Sequence, residues 1–144
     1  MYSRIIQEPA HLEMLKVFLQ ENKLPFQDVT LNGSYYFTYQ SDEDTLVASG
    51  GLELYGDYAL LRSIAVDENF RGRQLGKQIV NDLLITARKQ GIKELYLLTE
   101  TASAFFEQRG FVVTKRSLAP KALLQSTEFT STCPASATCM MLSL

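Results

Sequence analysis

The sequence predicts a single α/β (α+β) domain with a mixed, mostly antiparallel sheet, and three observations support this prediction. The chain has 144 residues, which suffices for one domain with a hydrophobic core and is too short for two ordinary ones. Three consecutive strand-like segments precede the long amphipathic helix, whereas a doubly wound sheet alternates strands with helices. A buried strand, a short basic loop and a helix then follow one another directly. We therefore treat residues 1–144 as one domain.

The first half of the chain predicts a strand, a helix, a loop and a three-stranded meander. Leu12, Leu15 and Leu19 recur at helical spacing behind Pro9, a residue that suits the first helical position. Aromatic and β-branched runs separated by short turns indicate antiparallel strands. His11, the only histidine, is expected at the helix surface. The predicted bounds are a strand at 2–7, a helix at 10–22, a loop at 24–33 and strands at 35–40, 45–55 and 58–66.

The second half predicts two more helices and two more strands. Ile79, Val80, Leu83 and Ala87 form one apolar stripe at helical spacing, and Gly91 behind it is typical of a helix C-terminus. The next segment is apolar on both faces, as expected for a buried strand. The predicted bounds are a helix at 76–91, a strand at 94–98, a helix at 102–109 and a strand at 111–115.

The loop before the long helix has the composition of an anion site. It reads Phe70-Arg71-Gly72-Arg73-Gln74-Leu75-Gly76-Lys77. The first turn of a helix has unpaired N–H groups and a partial positive charge, and glycines let the backbone approach a phosphate. Two arginines and a lysine add charge-assisted donors. The spacing of its glycines fits neither the dinucleotide-binding motif G-x-G-x-x-G nor the P-loop motif G-x-x-x-x-G-K-[ST]. We therefore predict that this loop binds a di- or polyphosphate in a site of another class.

This segment, V-D-x-x-F-R-G-R-x-L-G-K, resembles motif A of the GNAT acetyltransferases, [QR]-x-x-G-x-[GA]. Arg71 and Gly76 match the ends of the motif, and Gln74 stands where the middle glycine is usual. The resemblance implies that the loop amides hold the pyrophosphate of acetyl-CoA. It also implies the GNAT fold, a sheet of about six or seven strands with helices on both faces and strands splayed at the acetyl-CoA site.

A second segment, T-x-x-A-x-x-F-F-E-x-x-G-F, begins at Thr99 and resembles the GNAT motif N-x-x-A-x-x-[FL]-Y-x-x-x-G-F. It implies that Thr99 takes the place of an asparagine that contacts pantetheine. It also places Phe106 at a tyrosine often used as general acid, and Phe105 beside it; both rings could equally be core. In the family, backbone at the end of the preceding strand binds pantetheine and the oxyanion. The implied cofactor-binding set is Ile64, Ala65, Val66, Arg71, Gly72, Arg73, Gln74, Leu75, Gly76, Lys77, Thr99, Phe105 and Phe106.

A closer resemblance involves the tail. The segment Cys133-Pro134-Ala135-Ser136-Ala137-Thr138-Cys139-Met140, with Leu97-Leu98-Thr99, is similar to the small GNAT proteins of arsenic-resistance operons. The strand that ends at Thr99 is also similar to the acetyltransferase domain of N-acetylglutamate synthases. The spacing of Cys133 and Cys139 does not suit a structural zinc site, and a reducing cytosol disfavours a disulfide. We predict no metal site.

Glu53 and Arg62 are the candidate catalytic residues. Glu53 lies in the middle meander strand, which is expected to face the acetyl site, and could act as a base through water, although a solvated strand glutamate is an equal alternative. Arg62 interrupts an apolar strand and, by alternation, shares a face with Tyr58, Leu60 and Ile64. A buried arginine needs a partner, which is either a protein carboxylate or a substrate carboxylate. We favour the substrate because this strand leads into the predicted acetyl site.

Composition and charge restrict the partners. The chain carries 14 basic and 16 acidic residues, and its one basic cluster is the loop at 70–77, so we expect no nucleic-acid partner. No apolar stretch approaches the length of a membrane span, and no signal-like segment opens the chain, so we expect a cytoplasmic protein without a membrane partner. The expected partner is a small-molecule amine. The assembly is left open, with a homodimer as one alternative.

Three functions remain open at this stage. The first is transfer of an acetyl group from acetyl-CoA, by direct attack, to the amine of a small, amino-acid-like acceptor, with a link to arsenic resistance. The second is an acyl-CoA-binding protein without turnover, suggested by Gln74 and Phe106. The third is an arsenical-responsive protein that uses Cys133 and Cys139, because thiolates are soft ligands.

Overall fold

The computed structural model describes residues 2–132 and 135–144, so Cys133 lies outside the described residues. Seven strands form one sheet in the order β1-β2-β3-β4-β5-β7-β6. Every neighbouring pair is antiparallel except β4 and β5. The strands are β1 (Tyr2–Ile5), β2 (Ser34–Gln40), β3 (Leu46–Tyr55), β4 (Tyr58–Val66), β5 (Glu94–Thr99), β6 (Val112–Val113) and β7 (Thr138–Ser143).

The described helices are α1 (Pro9–Glu21), α2 (Leu75–Lys89), α3 (Ser103–Glu107) and α4 (Lys121–Leu124). Two 3-10 turns, Glu68–Phe70 and Arg116–Leu118, and a π-helical turn, Glu128–Thr132, complete the regular structure. None of the described helices is both long and apolar enough to cross a bilayer.

Helices cover both faces of the sheet. Tyr39 of β2 packs in the main core with α2, whereas Tyr36 packs with Leu15 and Leu19 of α1. Tyr36 and Tyr39 are three residues apart on one strand, so their side chains point to opposite faces. The C-terminal segment forms a third cluster in which Leu123 of α4 packs against Leu60 of β4. The predicted sheet, mixed and mostly antiparallel with helices on both faces, is confirmed.

The sequence predicted no element after residue 115, so β7, α4 and the π-helical turn are all additions, and β7 matters most for the sheet. It pairs with β5 on one side and with β6 on the other, although β6 precedes it in the chain. Among the described residues between β6 and β7, the turn Arg116–Leu118, α4 and the π-helical turn lie outside the sheet. The predicted strand at 111–115 is wrong in length, because only Val112 and Val113 find a partner strand.

A β-bulge in β4 shapes the middle of the sheet. Ser49 pairs with Ala65 and Gly51 with Arg62, so Gly50 alone faces two residues of β4. One of those two is Ser63, whose φ of 59° is left-handed. The Ser49 hydroxyl, which is fully buried, donates a hydrogen bond to the Ser63 carbonyl at 2.7 Å and fixes the bulge.

The bulge has two consequences for β4. Pairing with β5 stops at Leu60, opposite Tyr96, so the ends of the two strands diverge. The side-chain alternation also changes: Leu60 belongs to the cluster around α4, but Ile64 packs with the core around α2. The prediction that Ile64 shares a face with Leu60 and Arg62 is therefore wrong, because the extra residue of a bulge inverts the pattern.

Candidate active site

Two adjoining clefts open where β4 and β5 diverge. The first, here the loop cleft, has a volume of about 630 Å³ and lies between the end of β4, the loop at 70–72, the start of α2 and Phe105. The second, here the inner cleft, measures about 750 Å³ and lies between residues 22–27, the middle of β4, the segment 97–102 and Glu128. Both are lined by Ile64, Ala102 and Phe105, so the clefts meet at these residues.

The loop cleft brings together most of the predicted cofactor-binding residues. The start of α2 supplies amides that have no intrahelical acceptor, because the first bond within this turn runs from the Gln78 N–H to the Gln74 carbonyl at 3.2 Å. Backbone of β4 beyond Leu60 has no pairing with β5 and can bond to a ligand instead. The predicted residues that line this cleft are Ile64, Ala65, Val66, Arg71, Gly72, Gln74, Leu75, Gly76, Lys77 and Phe105.

The basic side chains of the loop have different positions. Arg71 is exposed at the cleft, and its Nε donates to the Val66 carbonyl at 3.3 Å. Lys77 also lines the cleft. Arg73 does not; its guanidinium stacks over Phe70 with its central carbon 4.8 Å from the ring centroid. The sequence could not separate the two arginines, because residues two apart in an irregular loop have no fixed relative direction.

Gln74 adopts a backbone conformation that explains why a glycine is usual at its position in motif A. It is the N-cap of α2 and has φ 61° and ψ 23°, in the left-handed region. Residues other than glycine adopt this backbone region at a cost in conformational energy. Its carbonyl still accepts the first bond of the helix. The departure from the motif therefore costs conformational energy and leaves the loop geometry in place.

Gly76 is required by close packing. A Cβ at this position would lie 3.3 Å from Cζ of Phe105, which is tighter than an ordinary van der Waals contact. Phe105 in turn forms an edge-to-face contact with Phe106, with ring centroids 5.1 Å apart. The glycine therefore lets the first turn of α2 approach the aromatic wall that separates the two clefts.

Arg109 is a residue of the loop cleft that the sequence analysis missed. Its guanidinium carbon lies 4.4 Å from the centroid of the Phe105 ring. Its Nε is buried and has no hydrogen-bond partner among the described residues. In the sequence, Arg109 is a single charged residue at the end of a predicted short helix and has no pattern around it. Only the packing of α3 against α2 places it in this cleft. A buried donor without a partner is suited to an anionic ligand.

The second motif lines the inner cleft more than the loop cleft. The Thr99 hydroxyl accepts the Ala102 N–H at 3.0 Å, so it caps the turn before α3 and keeps its own proton to donate. Phe106 is buried and stacks edge-to-face on Phe111, with centroids 5.6 Å apart. Thr99 and Phe106 line the inner cleft and do not line the loop cleft. Phe106 is an apolar wall without a proton to donate.

Arg62 has protein partners. Its guanidinium is fully buried and bonds in a bidentate manner to Asp28, at 2.6 and 2.8 Å. Nη1 also contacts Glu53 at 3.0 Å, and Nε lies 3.5 Å from Glu128. The pKa of Arg62 is raised, because its hydrogen bond to Asp28 and the surrounding negative charges outweigh the cost of burial. This geometry favours the protein-carboxylate alternative over a substrate carboxylate.

Glu53 is occupied by the same network. One of its oxygens accepts a hydrogen bond from the Tyr55 hydroxyl and the other contacts Arg62. Glu53 lines neither cleft. The expectation that it faces the acetyl site is not supported, because β3 lies one strand further from the point where β4 and β5 diverge.

Glu128 is the buried acidic residue that the structure brings to the inner cleft. It is 5% exposed and begins the π-helical turn at the C-terminal side of α4. Burial raises its pKa to about 7 against the opposing effect of Arg62. The sequence analysis missed it, because a single glutamate in a polar stretch with no periodicity carries no signal.

Cys139 is packed in the sheet. It lies on β7, is 3% exposed and belongs to the cluster with Leu60 and Tyr96. Burial raises the pKa of its thiol, which disfavours the thiolate that binds soft ions. Its proposed partner Cys133 lies outside the described residues. Within residues 2–132 and 135–144, no group of three histidine, cysteine or acidic side chains is arranged to hold a metal ion.

A helix start that can hold phosphates beside two diverging strands defines the class of acyltransferases that use coenzyme A. The model of the acetyltransferase (GNAT) family matches residues 5–111, and the chain belongs to this family. A curated relative is the [citrate [pro-3S]-lyase] ligase of Haemophilus influenzae, 26% identical over 113 residues. That match covers 78% of this chain and 32% of the ligase, so the chain spans about a third of its length.

Solved structures show the same fold. Rv2747 from Mycobacterium tuberculosis, in complex with CoA, has a TM-score of 0.79 at 19% identity. The match covers all of this chain and 99% of Rv2747. N-acetylglutamate synthase from Neisseria gonorrhoeae, complexed with CoA and N-acetyl-glutamate, has a TM-score of 0.75 at 16% identity. That match covers all of this chain and 35% of the synthase. The comparisons show no relationship to arsenic resistance.

Proposed function

We propose that this GNAT acetyltransferase transfers an acetyl group from acetyl-CoA to the amine of a small acceptor that enters the inner cleft. The observation that carries the proposal is the meeting of two clefts of different character at Ile64 and Phe105. One offers helix amides and basic side chains suited to a pyrophosphate. The other is lined by apolar and polar side chains in similar numbers and holds a buried carboxylate.

The assignment of the carrier rests on the loop cleft. The amides of α2 and the side chains of Arg71 and Lys77 would hold the pyrophosphate. The unpaired edge of β4 would accept the pantetheine arm and lead its thioester to the junction of the clefts. The attacking amine forms the new C–N bond, the C–S bond breaks, and the thiolate takes up a proton. A thiol pKa near 8.5 makes this leaving group tolerable without a phenol at Phe106.

The acceptor is proposed as a small primary amine, amino-acid-like in size. The synthase neighbour is complexed with N-acetyl-glutamate, which supports an amine of that size. We do not assign the carboxylate of such an acceptor to Arg62, because its guanidinium is already paired with Asp28 and Glu53 and lies 3.5 Å from Glu128. We therefore propose that the protein recognises the amine of the acceptor, and we assign no residue to the acceptor's carboxylate.

A protein that binds acyl-CoA without turnover is the second candidate, favoured by the absence of a phenol at Phe106. Thiol release from acetyl-CoA over a panel of primary amines separates the two. Release that saturates with one amine supports transfer. Tight acetyl-CoA binding with no release over the whole panel supports the second candidate.

The loop cleft has its own test. Gly76→Glu would place a carboxylate in the anion site and displace Phe105, so acetyl-CoA binding in a calorimetric titration should be lost. The matched control is Gln78→Glu, which adds the same charge to the same helical turn at a residue that lines neither cleft. Unchanged affinity in Gly76→Glu would contradict the assignment of the carrier site.

A further inference from the structure

Glu128 differs from the other two acidic residues around Arg62. Asp28 uses both carboxylate oxygens on the guanidinium, and Glu53 uses one on Arg62 and one on Tyr55. Glu128 has only the longer contact of 3.5 Å to Nε of Arg62 among the described residues. It is also the one of the three that lines the inner cleft. Its carboxylate is therefore buried, held at one side and available to a ligand at the other.

The π-helical turn holds Glu128 in place from both sides. Ser126 is buried; its hydroxyl accepts the Phe129 N–H at 3.4 Å and its carbonyl accepts the Thr130 N–H at 3.0 Å. Phe129 packs in the cluster with Leu60 and Tyr96, which fixes the turn against the sheet. The backbone of Glu128 is therefore held beside the cleft without help from a ligand.

The charges around Glu128 favour a cationic ligand. Three carboxylates, at −3 in total, surround one guanidinium at +1, which leaves a formal charge of −2 when all of them are ionised. Such an excess is costly in a buried site, so either a proton or a cation reduces it. Burial accordingly raises the pKa of Glu128 to about 7. A protonated amine would supply the missing positive charge.

We propose that Glu128 is the catalytic base of the acetyl transfer and that it receives the acceptor as a primary ammonium ion. This inference rests on the proposed function. The ammonium binds to the free side of the Glu128 carboxylate and transfers one proton to it. The neutral amine then attacks the thioester carbon, the C–S bond breaks, and the second amine proton leaves with the CoA sulfur as the thiol. Glu128 returns its proton to solvent before the next cycle.

Arg62 is a positioning residue in this scheme. Its positive charge lies 3.5 Å from one side of Glu128, its Nε donates to the Ser63 hydroxyl at 3.4 Å, and Asp28 and Glu53 hold the guanidinium in a fixed plane. A base is most effective when its pKa lies near the working pH, and an alkylamine with a pKa near 10.4 is almost wholly protonated there. The structure thus supplies a proton acceptor in the cleft that adjoins the place where the acetyl group is expected.

The test is the pH dependence of kcat/KM for one primary amine identified by thiol release. The wild type should show an acidic limb near pH 7. Glu128→Gln should lose that limb and fall by a factor of about 10²–10⁴ at pH 7, with a smaller loss at higher pH because more of the amine is neutral. Acetyl-CoA affinity should stay unchanged. The charged groups that face Glu128 across the network and the cleft, and so shape this profile, are Arg62, Asp28, Glu53, Tyr36, Lys23 and Glu100.

Two further variants complete the experiment. Glu53→Gln should keep the acidic limb, because Glu53 lies outside the clefts. Glu128→Asp retains a carboxylate and should keep the limb at a reduced rate; it also serves as the test variant if Glu128→Gln does not fold. Full activity and an intact limb in Glu128→Gln would overturn this inference alone. A wild type that binds acetyl-CoA and releases no thiol with any amine would overturn it together with the proposed function.

Discussion

Arg62 shows how one residue can decide between two interpretations of a sequence. An arginine in an apolar strand predicts a partner, and the structure supplies carboxylates from three separate segments: Asp28 from a loop, Glu53 from β3 and Glu128 from the π-helical turn. No local pattern could have chosen among them, because these acids lie 34, 9 and 66 residues away in the sequence. The need for a partner was predictable from Arg62 alone, and the identity of the partner was not.

The first prediction concerns this network. Arg62→Met removes the one cation that three buried or half-buried carboxylates share, so the free energy of unfolding should fall by about 3–5 kcal/mol. Chemical denaturation at neutral pH measures the change. The free energy of unfolding of Arg62→Lys, which keeps the charge without the planar guanidinium, should lie between those of Arg62→Met and the wild type. A stability equal to that of the wild type in Arg62→Met would return Arg62 to the role of a substrate-binding residue.

The second prediction concerns Arg109. Its buried Nε has no partner among the described residues and it lines the loop cleft, so we expect it to bond to a phosphate of the carrier. Arg109→Met should weaken acetyl-CoA binding by about 1.5–3 kcal/mol, the range for a hydrogen bond to a charged group. Calorimetric titration measures the affinity. Arg88→Met, at an exposed arginine of α2 outside both clefts, is the control, and an equal effect in both variants would contradict a specific contact.

At the scale of elements, β4 and the loop after it do most to form the site. The sequence predicted β4 at 58–66, which is confirmed, because an apolar run between two turns defines both ends. The bulge at Ser63 was not predicted, since neither serine nor its neighbours mark a left-handed residue. That bulge ends the pairing with β5 and turns Ile64 toward the α2 side. The motif resemblance anticipated splayed strands, and the structure shows the residue that splays them.

The third prediction tests the entry to α2. Gln74 holds a left-handed backbone, which costs an ordinary residue about 1–2 kcal/mol, and glycine avoids this cost while losing about 0.5–1 kcal/mol to chain entropy. Gln74→Gly should therefore raise the free energy of unfolding by about 1 kcal/mol or less and keep acetyl-CoA affinity. Gln74→Val, with a β-branched side chain, should lower both the free energy of unfolding and the affinity for acetyl-CoA. Thermal denaturation beside a titration checks the pair, and a stabilised Gln74→Val would refute the assigned strain.

The fourth prediction belongs to the pairing of β3 with α2. A Cβ on Gly50 would lie 2.5 Å from Cγ2 of Ile79, which is fully buried in the core. Gly50→Ala should lower the free energy of unfolding by about 1–3 kcal/mol, because the helix must move away from the sheet. The double variant Gly50→Ala with Ile79→Leu, which lacks the Cγ2 branch that the new Cβ would meet, should recover part of the loss. Additive destabilisation in denaturant titrations would argue against this contact.

At the scale of the whole molecule, the fold was predictable to a greater extent than the site. Local periodicity located α2 and the first meander, and the two motifs gave the family, which the comparison confirms over residues 5–111. The tail was not predictable, because β7 gains its place from partners 27 to 49 residues away and from no pattern of its own. Glu128 lies in that tail, so this buried acid of the inner cleft could not be predicted from the sequence for the same reason.

The fifth prediction is the pH dependence of the unliganded protein's stability. The folded state raises the pKa of Glu128 from 4.5 to about 7, so between these values it holds a proton that the unfolded chain does not. Stability should therefore fall as the pH rises through this window, by about 3 kcal/mol for this group. Asp28 acts in the opposite sense: its hydrogen bond with Arg62 lowers its pKa below 3.8, and its contribution disappears only in stronger acid.

The measurement for this prediction is denaturation across pH 4–8 with wild type and Glu128→Gln side by side. Their difference isolates the one group, because all other titrations are shared. The amide resembles the protonated acid, so Glu128→Gln should lack the fall toward neutral pH. Parallel curves for the two proteins would show that Glu128 is not desolvated in the folded state.

The place of β7 has a consequence for how the protein is made. A ribosome delivers β5 and β6 before β7, yet these two strands are joined only through β7. Until β7 emerges, β5 has an open edge and β6 has no partner, whereas the meander of β1 to β4 can already form. The half that holds the loop cleft can thus assemble during translation, and the turn with Glu128 is secured afterwards.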